Sequence, residues 1–368
     1  MTRPQLAAGD RLVVKVGTSS LVGPKGEPDA ARLGTLCDGI AATHAAGIEV
    51  VLVSSGAIAA GLAPLGLQSR PPDIPSLQAA AAVGQGRLFR LYNQSLEEHG
   101  LTAAQLLLTR YDFMHRQQYL NARNTVDRLL ALGVVPIVNE NDTIAVDEIR
   151  FGDNDRLAAL TANLARAKLL LLLTDAEGVH ASDPRKDPNA PLLSEVQRIT
   201  PELERAAGGR GSEFSLGGMA SKLAAAWVAT FSGVGVVVAN SAAPDVVTRC
   251  CAGEEIGTFF FPHDRKASAR RLWIAFGQPP RGTVTVDEGA RKAVVEGKRS
   301  LLPAGVTGVQ GTFDSGDVVD VSVSGGRPFA RGLVRYGSEE LVAAQGRSTA
   351  ELAHGEVIHR DQLIVLED

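Results

Sequence analysis

Short apolar runs alternate with amphipathic stretches over the first two-thirds of the chain. The runs predict buried strands, and the amphipathic stretches between them predict helices. Strands of continuous apolar character that are joined by helices are typical of a mainly parallel sheet covered by helices on both faces. The predicted strands are 12–16, 50–53, 105–108, 134–138, 169–173 and 234–238, and the predicted helices are 29–46, 76–99, 117–132, 156–165 and 219–231.

The last third of the chain has a different pattern. Val-rich pieces such as GTVTVD, GDVVDVSV and ARGLVRY are separated by Gly, Ser and Asp, which predicts short strands and turns. The segment FGQPPRG that precedes them has the glycine and proline content of a domain boundary. We therefore predict an α/β domain at 1–262, a linker at 263–280 and a small β-rich domain at 281–368.

The net charge provides no global attraction to polyanions. The chain has 37 Lys and Arg against 41 Asp and Glu, a formal net charge of −4, and residues 278–368 carry 10 basic against 13 acidic side chains. Strong binding to a nucleic acid backbone requires a basic surface, so we do not expect a nucleic acid partner. A local basic patch at 291–292 and 298–299 keeps RNA binding by the last third open as an alternative.

Cysteine and histidine positions indicate a protein of a reducing compartment without a zinc site. Cys37, Cys250 and Cys251 form no CxxC pair, and the seven histidines form no HExxH pattern or cluster at zinc spacing. The first residues lack the apolar stretch of a signal peptide, and the leucine run 169–173 is far too short to cross a bilayer. We expect a cytoplasmic protein with no membrane partner.

Three segments at strand or helix ends have the composition of anion-binding turns. Lys15 stands beside Gly17 at the end of the first strand, SSGAIAAG follows the second strand, and GGMASK opens the helix that contains Lys222. Backbone N–H groups at such turns and at helix N-termini favour phosphate or carboxylate. Taken alone, a lysine at a strand end is more often a solvated surface group, and a serine N-cap explains the second segment almost as well as ligand binding does.

Two clusters of Asn and Asp follow the fourth predicted strand. They are NEND at 139–142 and GDND at 152–155. One such cluster alone is ordinarily a turn or a helix cap. Two so close together, at the end of a parallel sheet where ligands bind, indicate a site for a cationic amine, a metal ion or both.

Two common nucleotide-binding motifs are absent from the sequence. GxxxxGK[ST] does not occur, and no GxGxxG follows the first strand; Gly84-Gln85-Gly86 lies inside a predicted helix. The absence of both motifs argues against a P-loop enzyme and against an enzyme that uses a nicotinamide cofactor.

Taken in order, KVGTS, SSGAIAAG, LLLTR, NEND, GDND, LLLTDAEGVHASDPR and GGMASK resemble the glutamate 5-kinases of the amino acid kinase family. The final third, with TVDEGARKAV and SLLPAGV, resembles a PUA domain. The resemblance implies the sandwich of helices on a central sheet that this family has. It also implies ATP-dependent phosphorylation of the γ-carboxylate of L-glutamate, the first step of proline biosynthesis, with Mg²⁺ as a cofactor and proline as feedback inhibitor.

The same resemblance implies partners and site residues. The partners are a second copy of the chain, in a dimer or a tetramer, and γ-glutamyl phosphate reductase, which would receive the unstable acyl phosphate. The implied site residues are Ser55, Asn139, Asp142, Asp153 and Asn154 for glutamate; Lys15, Thr174, Asp175, Leu216, Gly217, Gly218, Met219, Ala220, Ser221 and Lys222 for the nucleotide; and Lys15, Lys222 and Asp155 for catalysis.

The chain departs from the family pattern at two places. Ser215-Leu216 stands where the family often has Gly-Thr, and His180 stands where we expect a tyrosine. The first departure removes a threonine hydroxyl that would contact the nucleotide, and the second alters packing around the base.

Elementary chemistry agrees with a carboxylate kinase. A carboxylate nucleophile is deprotonated at neutral pH and needs no general base, while phosphoryl transfer needs positioning and positive charge. Asp142 and Asp153 would pair with the α-ammonium of free glutamate, which N-acetylglutamate lacks. A related kinase that acts on another carboxylate or on a carbamate is the alternative within this class.

Overall fold

The computed structural model describes residues 2–23, 27–144, 154–184, 186–187, 189–207, 218–263, 280–347 and 355–366. Contacts within the chain divide it into two compact units, Met1–Lys266 and Ala267–Asp368. Each unit has a sheet and an apolar core of its own.

The first unit is built on an eight-stranded sheet with the strand order β3-β4-β2-β1-β5-β7-β8-β6. All neighbouring pairs are parallel except β7 and β8, which are antiparallel. The strands are β1 Arg11–Val16, β2 Glu49–Val53, β3 Ala103–Leu108, β4 Val135–Glu140, β5 Leu169–Thr174, β6 Glu195–Val196, β7 Gly235–Asn240 and β8 Thr258–Phe260.

Helices connect most of these strands, as parallel pairing requires. Those of the first unit are α1 Thr18–Leu21, α2 Ala30–Ala45, α3 Ala57–Leu62, α4 Ile74–Glu97, α5 Arg110–Met114, α6 Arg116–Ala131, α7 Asp155–Leu164, α8 Pro201–Ala206, α9 Met219–Phe231 and α10 Val246–Cys251. Asp29 caps α2 and Asp73 caps α4 by accepting hydrogen bonds from backbone N–H groups of the first turn.

The alternation of side chains along β1 determines which residue meets which layer. Leu12, Val14 and Val16 belong to the apolar core that also contains residues of α2. Successive side chains of a strand point to opposite faces, so Lys15 lies on the other face of the sheet, where α7 contacts β1. Lys15, the only charged residue of β1 apart from Arg11 at its start, thus faces α7, which begins at Asp155.

The structure confirms the predicted class of a mainly parallel α/β sheet and corrects several details. Asn139 and Glu140, expected in a loop, are the last residues of β4, where they pair with Leu107 and Leu108 of β3. The strand β8 was not predicted from the sequence. It has only three residues, and its antiparallel pairing with β7 is a long-range contact that local periodicity does not show.

The second unit is a small β-rich domain, as predicted. Its five strands have the order β10-β9-β11-β12-β13, with β9 and β11 parallel and the other pairs antiparallel. The elements are β9 Gly282–Val286, α11 Glu288–Val295, β10 Val306–Gly311, β11 Val318–Val323, β12 Pro328–Leu333, α12 Ser338–Ala344 and β13 Leu363–Val365. Asp320 and Arg331 face each other across β11 and β12 and form a buried ion pair at 2.6 Å.

Among the residues that the structure describes, none of the helices has both the length and the apolar character needed to cross a membrane.

Candidate active site

The carboxyl ends of four neighbouring parallel strands carry the predicted polar residues. Lys15 lies near the end of β1, Ser55 follows β2, Asn139 lies near the end of β4, and Thr174 ends β5. The connections of β1 place β2 on one side of it and β5 on the other, so the strand order reverses there. A crevice at such a reversal is the usual ligand site of an open α/β sheet.

Lys15, Asp155 and Lys222 form a buried cluster, which we call the ion triad. Lys15 Nζ contacts Asp155 Oδ1, and Lys222 Nζ lies 3.3 Å from Asp155 Oδ2. Asp155 is fully buried, and the two lysines are 4% and 5% exposed. Two ammonium groups therefore share one carboxylate, and the triad carries a net positive charge in a nearly dry environment.

Three separate elements of the fold assemble the ion triad. Lys15 comes from β1, Asp155 is the first residue of α7, and Lys222 lies in the first turn of α9. A carboxylate is favourable at a helix N-terminus and a cation is not. Asp155 thus stabilises its own helix and compensates the charge of Lys222 at the start of α9, against which α7 packs.

Opposing effects act on the Asp155 carboxyl group. Burial by itself would raise the pKa of Asp155, but the charges of Lys15 and Lys222 and hydrogen bonds from Lys15 and Ser221 hold it well below its ordinary value. Ser221 Oγ lies 2.8 Å from Asp155 Oδ2 and 2.7 Å from the Gly218 carbonyl oxygen. Asp155 is therefore ionised at neutral pH.

Asn139 and Asn154 form a second cluster of buried side chains. Asn154 Nδ2 donates to Asn139 Oδ1 at 2.6 Å and to the Ser54 carbonyl oxygen at 2.6 Å, and the Glu140 backbone N–H donates to Asn139 Oδ1 at 2.9 Å. Asn139 Nδ2 donates to Gln85 Oε1 of α4. The cluster ties β2, β4, α4 and the start of α7 together at the strand ends.

The turn after β2 brings backbone close to this cluster. Gly56 precedes α3 with φ at +93°, a left-handed conformation that glycine adopts without strain. Ser54 and Ser55 just before it are buried, and Ser54 Oγ lies 3.1 Å from the hydroxyl oxygen of Tyr92. The small residues of SSGAIAAG therefore serve a tight connection from strand to helix.

The residues predicted to bind nucleotide lie at the ends of β5 and the start of α9. Thr174 is buried and donates from Oγ1 to Asp175 Oδ1 at 3.1 Å, whereas Asp175 is exposed. Gly218 precedes α9 with extended backbone, and Met219, Ala220 and Ser221 form its first turn ahead of Lys222. Leu216 and Gly217 lie outside the described residues.

The structure thus brings together two groups of predicted residues. One is the ion triad with Ser221; the other joins Asn139 and Asn154 to the backbone beside Ser55. Asp142 lies half-buried in the turn that follows β4, and Asp153 lies outside the described residues. The adjacency of Asn154 and Asp155 in sequence connects the two groups.

Sequence reasoning missed two polar side chains of α4. Gln85 contacts Asn139 and Tyr92 contacts Ser54, yet both lie on a helix whose apolar residues predict only packing against the sheet. They are seven positions apart, which puts them on one face of the helix. Polar groups at that spacing on a buried face were the available signal.

Comparisons with known proteins agree with this geometry. The family model "Amino acid kinase family" matches residues 10–240, and the PUA domain model matches residues 282–355. Glutamate 5-kinase of Syntrophotalea carbinolica is 46% identical over 372 residues, which cover 99% of this chain and all of the relative. The glutamate 5-kinase of a Synechococcus species is 47% identical over 364 residues, covering 97% of this chain and 98% of the relative, and that of Myxococcus xanthus is 46% identical over 371 residues, covering 99% and 98%.

The family model covers seven of the eight strands of the sheet and all three residues of the ion triad, and the relatives match the chain from end to end. The chain therefore belongs to the amino acid kinase family and, within it, to the glutamate 5-kinases with a carboxyl-terminal PUA domain.

Proposed function

We propose that this chain transfers the γ-phosphoryl group of ATP to the γ-carboxylate of L-glutamate, giving γ-glutamyl phosphate and ADP. The observation that carries the proposal is the buried ion triad, which places two ammonium groups on one carboxylate at the strand ends. Full-length identity of about 46% to glutamate 5-kinases supports the choice of substrate. In proline biosynthesis this reaction is the first step.

In this proposal the two lysines stabilise the charge of the transferring phosphoryl group. Positive groups fixed in a site of low dielectric act more strongly on developing negative charge than the same groups in water. Asp155 holds both ammonium groups before the nucleotide arrives, so little reorganisation is needed. Lys15 and Lys222 are the catalytic side chains, and Asp155 is the group that orients them.

The nucleophile needs no proton acceptor. The γ-carboxylate of glutamate is ionised at neutral pH, since the ordinary pKa of such a group is near 4.3. Asn139, Asn154 and Ser55 would align it with the γ-phosphorus of ATP. Phosphoryl transfer of this type depends on in-line positioning more than on covalent chemistry.

Recognition of free glutamate would rest on acceptors near its α-ammonium group. Asn154 uses both N–H groups within the protein, and its Oδ1 accepts no hydrogen bond from the part of the chain that the structure describes. Asp142 and Asp153 would add negative charge. N-Acetylglutamate carries no ammonium group and would lose these interactions.

In this proposal Mg²⁺ binds together with ATP. The described residues contain no group of three or more His, Cys, Asp and Glu side chains arranged to hold a metal. Both oxygens of Asp155 already contact the lysines and Ser221. The phosphates of ATP and water would therefore supply most ligands of a hard cation of this kind.

We further propose that the protein is cytoplasmic, that it forms a homo-oligomer and that proline inhibits it by feedback. Its product would be delivered to γ-glutamyl phosphate reductase. The catalytic domain would span 1–262 and the PUA domain 281–368, with 263–280 as the linker. Domain models at 10–240 and 282–355 support that division.

Trapping of the acyl phosphate by hydroxylamine tests the proposed reaction. The full chain is incubated with MgATP and, separately, with L-glutamate, L-aspartate and N-acetyl-L-glutamate, and the hydroxamate is measured. We expect hydroxamate with glutamate at a kcat/KM at least about 100-fold above that with either other acid. N-Acetylglutamate lacks the α-ammonium group, and aspartate is one methylene shorter and cannot place its side-chain carboxylate and its α-ammonium group in the site together. Equal or higher activity with another acid would overturn the assignment of substrate.

A further inference from the structure

The hydrogen bonds around Asn139 and Asn154 have only one possible polarity. The Glu140 backbone N–H can only donate, so the atom of Asn139 that it contacts is the carbonyl oxygen. The Ser54 carbonyl oxygen can only accept, so the atom of Asn154 that it contacts is the amide nitrogen. Two backbone groups thus fix the orientation of two side-chain amides.

This polarity determines the role of Gln85. Because Asn139 Oδ1 already accepts from Glu140 N and from Asn154 Nδ2, its Nδ2 is the group that meets Gln85, and Gln85 must present its carbonyl oxygen. Of the hydrogen-bonding groups of these two amides, the second N–H of Asn139 and Oδ1 of Asn154 have no partner among the described residues and can meet a ligand. A donor suits a carboxylate, and an acceptor suits an ammonium group, so the pair matches an amino acid.

Packing places Gln85 where it can reach Asn139. Its neighbour Gly84 faces α3 so closely that a Cβ there would lie 1.8 Å from the Ala57 carbonyl oxygen, and a Cβ on Gly61 would lie 1.8 Å from the Ala80 carbonyl oxygen. Helices α3 and α4 therefore cross with their backbones in direct contact at this point. Tyr92, which is seven positions after Gln85 on the same face of α4, is fully buried and contacts Ser54.

We propose that Gln85 is a positioning residue of the substrate site, which holds the Asn139 amide so that Asn139 and Asn154 present one donor and one acceptor to the amino acid. The proposal rests on the proposed glutamate kinase function. Gln85 acts through Asn139 and touches no reacting atom. Loss of its carbonyl oxygen removes the acceptor of the Asn139 Nδ2 group and leaves that amide held through its Oδ1 alone. The Nδ2 group is then placed less accurately, which weakens binding of glutamate and leaves the ion triad unchanged.

Gln85→Met tests this role, with Gln94→Met as the matched control. Methionine has nearly the same length and a good helix propensity but no hydrogen-bonding amide. Gln94 lies on the same helix with its side chain exposed. For Gln85→Met we expect a KM for glutamate raised roughly 5- to 10-fold, from the usual worth of one hydrogen bond, with KM for ATP and kcat as in Gln94→Met.

A double-mutant cycle tests whether Gln85 acts through Asn139. In an Asn139→Ala background, adding Gln85→Met should change the KM for glutamate less than 2-fold, because the group that Gln85 holds is already gone. Asn139→Ser provides a second background if the alanine variant folds poorly.

The outcomes separate this inference from the proposed function. Absence of hydroxamate from glutamate with the unaltered chain would refute the function itself. If the chain is active, three results would overturn the role of Gln85 alone. Gln85→Met could leave the KM for glutamate unchanged, or raise the KM values for glutamate and ATP equally. The third result is an increase in the KM for glutamate that is as large in the Asn139→Ala background as in the unaltered chain.

Discussion

Replacement of Asp155 by asparagine tests the ion triad at its centre. The change keeps the shape of the side chain and removes its charge. Asp155 is fully buried, and the two ammonium groups that it balances are at most 5% exposed. The variant therefore removes the carboxylate that both buried cations share.

The cost follows from that burial. Removing one partner of a buried ion pair destabilises a protein by about 3–5 kcal/mol. Each kcal/mol lowers the melting temperature by about 2–4 °C in a domain of this size, so we expect Asp155→Asn to melt about 10 °C lower. ATP should restore part of the difference, since its phosphates supply negative charge to the same lysines.

The effect on catalysis has a different origin. Lysines that repel each other no longer converge on one phosphoryl group, and kcat should fall on the order of 10²-fold, as it does when a preorganised electrostatic donor is lost. Hydroxamate formation gives kcat, and differential scanning fluorimetry gives the melting temperature. Asp38→Asn is the control, because the Asp38 carboxylate is 66% exposed and pairs only at the surface with His99.

The contribution of Asp155 to stability depends on pH. Since the pKa of Asp155 is lowered in the folded chain, its contribution to stability is complete above about pH 4 and is lost as the pH falls through the lowered pKa. The difference in stability between the unaltered chain and Asp155→Asn should stay constant between pH 6 and 8 and shrink in strong acid. Near-normal kcat together with the melting temperature of Asp38→Asn would refute the reasoning.

Four further predictions follow from the same structure. Lys15→Ala and Lys222→Ala should each lower kcat on the order of 10²-fold with smaller changes in KM, and arginine at either position should rescue only partly; near-normal kcat in both folded alanine variants would remove these residues from catalysis. Asp142→Asn should raise the KM for glutamate well above any change in the KM for ATP, whereas an equal rise in both would indicate a structural role. A chain truncated after Phe276 should keep measurable kinase activity, because every candidate site residue precedes position 223; complete loss in a folded truncated chain of unchanged oligomeric state would show that the last third completes the site. Burial raises the pKa of Cys250 to about 12, so folded chain should lose stability as the pH rises above about 8.5, with a slope that Cys250→Ala makes shallower by about 1 kcal/mol per pH unit; an unchanged slope in chemical denaturation would contradict this.

Most of the first sheet could be predicted from the sequence, because its strands are buried on both faces. β5 is a run of five leucines followed by Thr174, and every residue of it is buried. Such runs stand out against amphipathic helices. The end of β4 was predicted less well, since polar Asn139 and Glu140 interrupt the apolar run while their backbones continue the ladder with β3.

The convergence of side chains could not be derived from spacing. Lys15 and Lys222 are more than 200 positions apart, and their meeting on Asp155 depends on how β1, α7 and α9 pack. Only the resemblance to a known family suggested it. Gln85 was missed for a related reason: its helix has an apolar face, and no local pattern shows that a polar group on it reaches Asn139.

Transfer of ¹⁸O from the substrate to phosphate tests directly whether the γ-carboxylate of glutamate attacks ATP. L-Glutamate labelled with ¹⁸O in both γ-carboxylate oxygens is incubated with the full chain, MgATP and hydroxylamine. If a γ-carboxylate oxygen attacks the γ-phosphorus of ATP, that oxygen stays with phosphorus when hydroxylamine displaces phosphate from the acyl carbon. We expect γ-glutamyl hydroxamate and inorganic phosphate that carries one ¹⁸O atom, in equal amounts. Phosphate without ¹⁸O would contradict attack by the γ-carboxylate, whether or not ADP is formed in the same amount.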